Sequence, residues 1–168
     1  SGGFDLVLTK PINALFRSLM GGVDVLDLMT IPPLILAVFY VGRMFNPGIF
    51  DTVFYILLLA NGLLIATAFH IAVLALGIIT LEIDHTVMIY RDLTSLGRFP
   101  IDIYKEPLKG VLTYLIPIGI MVTLPAKALF GLVSIQGVLF SFLLGIFTIS
   151  VSLRLWKFAL TKYTSASS

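Results

Sequence analysis

The chain has 168 residues, of which 58% are hydrophobic and only 12% carry a formal charge, and its net charge is +2. A soluble globular domain has about 25% charged residues, so this composition excludes an ordinary soluble domain, a disordered chain and a collagen-like chain. The remaining class is an integral membrane protein, and so small a net charge does not indicate a nucleic-acid partner.

Residues 9–22 are the first element that can be recognised, and they predict an amphipathic helix. Lys10 and Arg17 fall on its polar side. The apolar side chains recur every three or four residues, which makes one stripe of a helix: Ile12, Leu15, Phe16, Leu19 and Met20. Two interpretations stay open, a helix that lies in the headgroup plane of the membrane and a helix that docks a cytoplasmic partner.

Four later segments are apolar enough to predict membrane-spanning helices, since a helix of about 20 apolar residues crosses the hydrocarbon of a bilayer. They are residues 26–44, 52–80, 109–125 and 134–155. The second segment is the longest stretch without a formal charge. The first and the third are interrupted by prolines, at Pro32, Pro33, Pro117 and Pro125.

The second predicted span contains two polar residues, Asn61 and His70. Gly62, Ala66 and His70 are spaced four apart, so they share one helix face on which small residues admit a neighbouring helix. An ionisable residue inside a membrane is a functional candidate, because an unsatisfied polar group is unfavourable there. His70 is therefore either a structural residue bonded to another helix or part of a substrate path.

The fourth predicted span has a stripe of small residues, Gly137, Ser141 and Gly145, at intervals of four. Such a stripe lets two helix backbones approach closely. The partner helix lies either in the same chain or in a second subunit. The apolar residues 125–134, between the third and fourth spans, predict a short re-entrant or interfacial element.

The basic residues indicate the orientation of these spans. The segments before the first span, between the second and third, and after the fourth hold nine of the eleven Lys and Arg residues. By the positive-inside rule, both termini and the loop at residues 85–108 face the cytoplasm, and residues 125–134 face the other side together with Lys127. We therefore predict an all-α bundle of four transmembrane helices, with an N-terminal amphipathic helix on the cytoplasmic side and a short re-entrant element.

The sequence offers no recognisable catalytic chemistry. It has no cysteine. It also lacks the phosphate-binding loop that ends in Gly-Lys, so this chain cannot bind ATP through such a loop. Glu82, Asp84 and His85 are close in sequence, but their spacing fits no metal-ligand pattern and is typical of a solvated helix end. We predict neither a catalytic residue nor a metal or cofactor site.

The stretch from Gly97 to Pro125 carries family motifs. Arg98-Phe99-Pro100 precedes Tyr104, and Leu112-Thr113 precedes Ile116-Pro117 at the start of the third span. The segments 10–13 and 156–163 fit the same order. Over about residues 5–168 the chain resembles the permease subunits of bacterial type-2 ABC exporters, in the subgroup of uncharacterised permeases.

The resemblance implies a fold, partners and docking residues. Such permeases have six spans, so this chain corresponds to the last four. Two permeases, identical or different, pair in the bacterial cytoplasmic membrane, and a separate ATPase subunit hydrolyses ATP. The family docks its ATPase through a coupling helix, which maps onto residues 9–20, and through a second contact at about residues 85–108. The docking residues are then Ile12, Leu15, Phe16, Leu19, Arg98, Pro100 and Tyr104.

Two other classes stay open beside an exporter. A four-helix membrane protein can be a scaffold or assembly subunit that only binds a partner. A secondary transporter driven by ions is disfavoured, because the sequence has no internal repeat and no pair of intramembrane acids. The substrate is not readable from the sequence, since an apolar path suits lipids, drugs and hydrophobic peptides alike.

Overall fold

A computed structural model describes residues 13–20, 25–80 and 83–163. All regular secondary structure in these ranges is helical. The first four helices are α1 (Ala14–Met20), α2 (Val25–Arg43), α3 (Ile49–Thr80) and α4 (Ile83–Ser95). Two 3-10 turns follow, at Leu96–Arg98 and Ile101–Ile103. The remaining helices are α5 (Leu108–Gly110, continued by a π-helix at Val111–Leu115), α6 (a π-helix at Gly119–Thr123, continued by Leu124–Leu129) and α7 (Ile135–Lys162).

Helices α3 and α7 are the two described helices that are long and apolar enough to cross a membrane by themselves. With 32 and 28 residues, they are about 48 and 42 Å long at 1.5 Å per residue, more than the roughly 30 Å of bilayer hydrocarbon. Polar groups fix where each begins. Asp51 accepts a hydrogen bond from the Gly48 amide at 2.9 Å, and Ser134 accepts one from the Gly137 amide at 3.1 Å.

Helices α3 and α7 pack side by side and run in the same direction. Near their first turns, Leu58 of α3 shares a buried cluster with Val138 of α7. Near their last turns, Ile71 and Ala75 share a second cluster with Trp156. Because residue numbers rise together along both helices, their N-terminal ends lie at the same end of the molecule.

Helix α2 covers the first predicted span but touches the rest of the chain mainly at its C-terminal end. Every described side chain from Leu28 to Val41 is exposed, whereas Gly42 is buried against Leu129 of α6. Just beyond the helix, the rings of Phe45 and Phe130 meet edge to face at 4.5 Å. Helix α2 is thus anchored at one end and unpacked along most of its length.

The third predicted span is a bent pair of short helices, α5 and α6, whose axes differ by 71°. The break lies at Ile116-Pro117, where Ile116 leaves helical geometry and Pro117 has no amide hydrogen to donate. We call α5, the break and α6 the bent pair. Among the described residues, two helices can therefore span a bilayer, or three if the bent pair is one span; the predicted count was four.

The predicted re-entrant element at residues 125–134 consists of the end of α6, a tight turn and the start of α7. The turn is a Schellman motif, in which the amides of Gly131 and Leu132 donate to the carbonyls of Ala128 and Lys127. Gly131 has a φ of +67°, the left-handed conformation that a C-terminal helix cap requires. The chain then enters α7 at Ser134.

Candidate functional site

A buried polar contact joins the centres of α3 and α7. The Asn61 amide nitrogen donates to the backbone oxygen and to the hydroxyl of Ser141, both at 2.8 Å. Gly145 lies directly beneath this amide, because a Cβ atom there would overlap the Asn61 side-chain oxygen. The structure therefore brings together three of the five residues that the sequence singled out for packing or a path.

The other two residues of that set, Gly137 and His70, lie elsewhere. Gly137 is in the first turn of α7, where its amide bonds to Ser134, and the nearest atom to an added Cβ belongs to the same Ser134. His70 is half-buried and meets the ring of Tyr90 edge to face at 5.8 Å. The imidazole thus packs between α3 and α4, away from the Asn61 contact.

The face of α3 that carries Gly62 admits two neighbouring elements. A Cβ on Gly62 would stand 2.6 Å from the carbonyl oxygen of Met121, so the π-helical part of α6 approaches α3 at backbone distance. One turn further, the Tyr90 hydroxyl lies 3.5 Å from the carbonyl oxygen of Ala66. Helix α4 therefore folds back along α3. Helix α6 runs antiparallel to α3, because Ala128, which follows Met121, packs against Leu58, which precedes Gly62.

The motif-bearing residues 97–125 fold against one another. The Tyr104 hydroxyl donates to the Leu96 carbonyl at 2.7 Å, and the Ile101 amide donates to the Thr123 hydroxyl at 3.2 Å. These bonds hold the loop after α4 against the start of α6. Of the docking residues predicted here, Arg98 and Pro100 are exposed. Tyr104 is half-buried and packs against a cluster of Ile101, Leu112 and Ile118.

A small ionic cluster, which the sequence did not predict, connects the loop after α4 to the bent pair. The Asp102 carboxylate contacts the ammonium groups of Lys109 at 3.1 Å and Lys127 at 2.6 Å. The hydrogen bonds from Lys127 and then Lys109 lower the pKa of the Asp102 carboxyl. The Asp102 carboxylate thus connects the loop after α4 to both helices of the bent pair, α5 and α6.

The same ion pairs bear on the predicted topology. If residues 109–127 formed a straight helix, the Cα atoms of its ends would lie about 27 Å apart, too far for two lysines to share a carboxylate. The predicted topology puts Lys127 opposite residues 85–108, which include Asp102. Placing Lys127 and Asp102 on opposite sides of the membrane is incompatible with their salt bridge, because the two charged groups are in contact in the fold.

Helix α1 lies across the C-terminal ends of α3 and α7. Leu15 and Leu19 pack against the buried cluster that contains Trp156, and the Asn13 side chain caps the helix by accepting from the Leu15 amide at 3.0 Å. Phe16 points away from this cluster and is 58% exposed. Of the four docking residues predicted here, Ile12 lies outside the described residues, Leu15 and Leu19 face the bundle, and Phe16 is free for a partner.

The end of the molecule that carries α1 is basic. Arg17 of α1 is exposed there, as are three cations on the last turns of α7: Arg154, Lys157 and Lys162. Before Arg154, α7 has no charged residue from Ile135 onward. Helix α7 therefore changes from apolar to basic residues at Arg154.

Two adjoining apolar cavities of about 600 and 620 Å³ lie between α2 and the bundle. They share Val38, Gly42, Tyr55, Leu59 and Leu129. The first continues along α3 to Ala66, and the second runs along α2 from Ile31 to Arg43. We call the two together the α2 groove.

A comparison with known proteins agrees with this all-helical membrane architecture. A family model described as "ABC-2 family transporter protein" matches residues 1–167. No curated protein and no solved structure matches the chain. Because the family match covers almost every residue and the described helices are those of a membrane protein, the chain belongs to the ABC-2 family of transporters and carries its membrane domain.

Proposed function

We propose that the protein is the permease subunit of an ABC exporter in the bacterial cytoplasmic membrane, and that a separate ATPase subunit supplies the energy. Family membership supports the transport role and implies an ABC ATPase as partner. The sequence supports the division of labour, since it lacks a phosphate-binding loop. Substrate then crosses by alternating access of the membrane domain, without covalent chemistry in this chain.

The observation that carries the proposal is the position of α1. Leu15 and Leu19 join α1 to the buried ends of α3 and α7, so a push on α1 is transmitted directly to two long helices. Phe16 and Arg17 are exposed on the outer side. An aromatic side chain beside a cation is a suitable anchor for a pocket on an ATPase subunit.

A second contact is proposed at the loop after α4. Arg98 and Pro100 are exposed, while Tyr104 holds the loop in place through its bond to Leu96. In this proposal Arg98 touches the ATPase and Tyr104 positions the loop. Movement of the loop would reach the bent pair through Asp102 and its two lysines.

The finer features of the fold belong to the same proposal. In this proposal α2 is a further span beside α3 and α7, and the bent pair enters the bilayer without separating Lys127 from Asp102. Both termini and the basic end would face the cytoplasm, as the positive-inside rule favours. A second permease, identical or different, would complete the transport path within the bilayer.

The decisive experiment is an affinity purification of the full-length protein from its own membranes in mild detergent, followed by mass spectrometry. A P-loop ATPase in stoichiometric amount is the expected result. Phe16→Asp should remove the ATPase, whereas Phe16→Leu, which keeps an apolar anchor, should retain it. An ATPase that stays bound to Phe16→Asp would refute docking through α1.

The purification also separates the two functional classes. If no ATPase is recovered from membranes in which the neighbouring genes are expressed, the exporter proposal fails and a scaffold or assembly subunit remains. Arg98→Glu tests the second contact independently, with Arg43→Glu as a control, since Arg43 is exposed at the end of the molecule opposite α1. Equal ATPase recovery in both variants would contradict the contact at Arg98.

A further inference from the structure

The α2 groove is an apolar feature of the described chain that nothing in the fold fills. Its wall on the α2 side is exposed from Ile31 to Val41, with Leu34 at 61% and Ile35 at 62%. Its opposite wall is α3, through Tyr55 and Leu59, closed at one end by Leu129. Each cavity has a volume within the range of ligand-binding sites.

The groove has a polar end and an apolar body. Arg43 lines the second cavity at its end, and its guanidinium stands 5.5 Å from the centre of the Phe39 ring. This cation–π contact holds the Arg43 side chain back along α2, toward Phe39. Asp51, the acid that follows it in the chain, already accepts a bond from the Gly48 amide, and no acidic side chain lines either cavity.

The length of the groove matches a lipid chain in one leaflet. From Arg43 back to Ile31 the helix advances about 18 Å at 1.5 Å per residue. One leaflet contributes about half of the 30 Å hydrocarbon thickness. A cation at the polar end therefore stands about one acyl-chain length from the far end of the groove.

We propose that the α2 groove is a binding site for an anionic phospholipid. The phosphate binds the Arg43 guanidinium, one acyl chain lies along α2 between Ile31 and Phe39, and the second enters the cavity beside Gly62. A guanidinium matches phosphate in charge and geometry, and basic pockets between membrane helices bind anionic headgroups. The site does not depend on whether the protein transports anything.

The test uses the full-length protein with its co-purifying subunits in phosphatidylcholine vesicles. One probe is phosphatidylglycerol with a photoreactive diazirine in an acyl chain, and the other is phosphatidylcholine with the same chain. After illumination, cross-linked peptides are mapped by mass spectrometry. We expect the anionic probe to label residues 31–39 of α2 and the facing turns of α3 several times more strongly than the neutral probe.

Variants separate a built site from general contact with lipid. Arg43→Gln should reduce labelling by the anionic probe about fivefold, the effect of losing one cation near anionic lipid, and Arg43→Lys should restore part of it. Leu59→Trp should fill the groove and reduce labelling by either probe. Lys162→Gln is the matched control, since Lys162 also stands over a phenylalanine ring, Phe158, at 5.8 Å, outside the groove.

Two results would overturn the proposal. Equal labelling by both probes, unchanged in Arg43→Gln, would mean that α2 only touches bulk lipid. Cross-links from α2 to a second copy of the chain or to another subunit, in place of lipid, would mean that a protein covers the groove.

Discussion

Helices α2 and α3 are both apolar, but the rest of the chain packs along the length of only one of them. On α3, Leu58 and Ile65 have no exposed surface, and α4, α6 and α7 all pack against it. On α2, Leu36 is 66% exposed, and the helix meets the rest of the described chain near Gly42. Hydropathy thus predicts that both helices favour lipid, but it does not predict which of them packs against the rest of the protein along its length.

The difference arises from small and polar residues rather than from apolar ones. Inside a membrane, lipid tails are as apolar as leucine, so helices associate where backbones approach closely or polar groups bond. Helix α3 offers Asn61 and Gly62 at its centre, facing Ser141 and the Met121 carbonyl. Helix α2 offers Gly42 in its last turn, so its contact is confined to that end.

The largest effect should come from Gly62→Ala. Its methyl group would stand 2.6 Å from the Met121 carbonyl oxygen, and a backbone carbonyl within a helix cannot turn aside. We expect a loss of about 3 kcal/mol in the free energy of unfolding in detergent, the upper end for an overpacked site. Gly42→Ala on α2 is the matched control and should change stability by less than about 1 kcal/mol, because its methyl group meets the flexible end of Leu129 at 3.1 Å. Equal losses would mean that α2 packs as firmly as α3.

A pair of leucine truncations gives the next largest contrast. Leu58→Ala should destabilise the protein by about 2 kcal/mol, the low end of the range for buried leucines. The value is low because the truncation removes packing contacts, whereas in a soluble protein it also removes the free energy of transferring the side chain from water. Leu36→Ala should have almost no effect, since its side chain faces outward. Thermal unfolding in one detergent measures both, and a marked loss for Leu36→Ala would reveal a partner on α2 that the isolated chain does not contain.

The polar contact between α3 and α7 should have an intermediate effect. A double-mutant cycle of Asn61→Ala with Ser141→Ala should give a coupling energy of about 0.6 to 1.7 kcal/mol, as for other hydrogen bonds between membrane helices. Asn61→Ala combined with Ser150→Ala should be additive, because the Ser150 hydroxyl bonds to Ile146 of its own helix. Zero coupling in the first cycle would exclude the bond between Asn61 and the Ser141 hydroxyl.

The smallest effect is expected at the ionic cluster, outside both helices. Since the folded state lowers the pKa of Asp102, its contribution is present above the unfolded pKa of about 3.9 and disappears as the pH falls through the lower folded value. Asp102→Asn should therefore destabilise the protein near neutral pH by less than about 1 kcal/mol, because the cluster is half exposed. Melting curves of the two proteins should converge in acid, and a difference that grows on acidification would contradict the ion pairs.

Composition and uncharged runs predicted the all-helical membrane class, and the motifs predicted the family. The runs at residues 52–80 and 134–155 correspond to α3 and α7, because a long apolar stretch has no other stable form in a bilayer. The sequence singles out Asn61 as a polar residue and Ser141 as a small residue, each within an apolar run. Their mutual bond was not predictable, because it depends on the register between two helices that lie eighty residues apart.

The geometry of the bent pair could not be predicted from the sequence. Pro117 was visible in the sequence, but a proline predicts a kink and not its angle or the π-helices beside it. Counting basic residues by segment assigned Lys127 to one side of the membrane and Asp102 to the other, since that count treats every apolar run as a straight crossing. Likewise, the apolar stripe of α1 did not reveal that Leu15 and Leu19 face inward while Phe16 faces outward.

The parallel arrangement of α3 and α7 has a consequence for how the protein is made. Two helices that run the same way require the residues between them to carry the chain back, and that return passes through α4, the loop with Asp102 and the bent pair. Helix α3 is apolar enough to partition into lipid as it leaves the ribosome. The bent pair packs chiefly against α3, which has already been synthesised, whereas α3 receives its contacts with α7 only when the last helix has been made. The bond between Asn61 and Ser141 is therefore formed last, and a chain shortened before α7 would leave the buried Asn61 amide without the two Ser141 oxygens to which it donates.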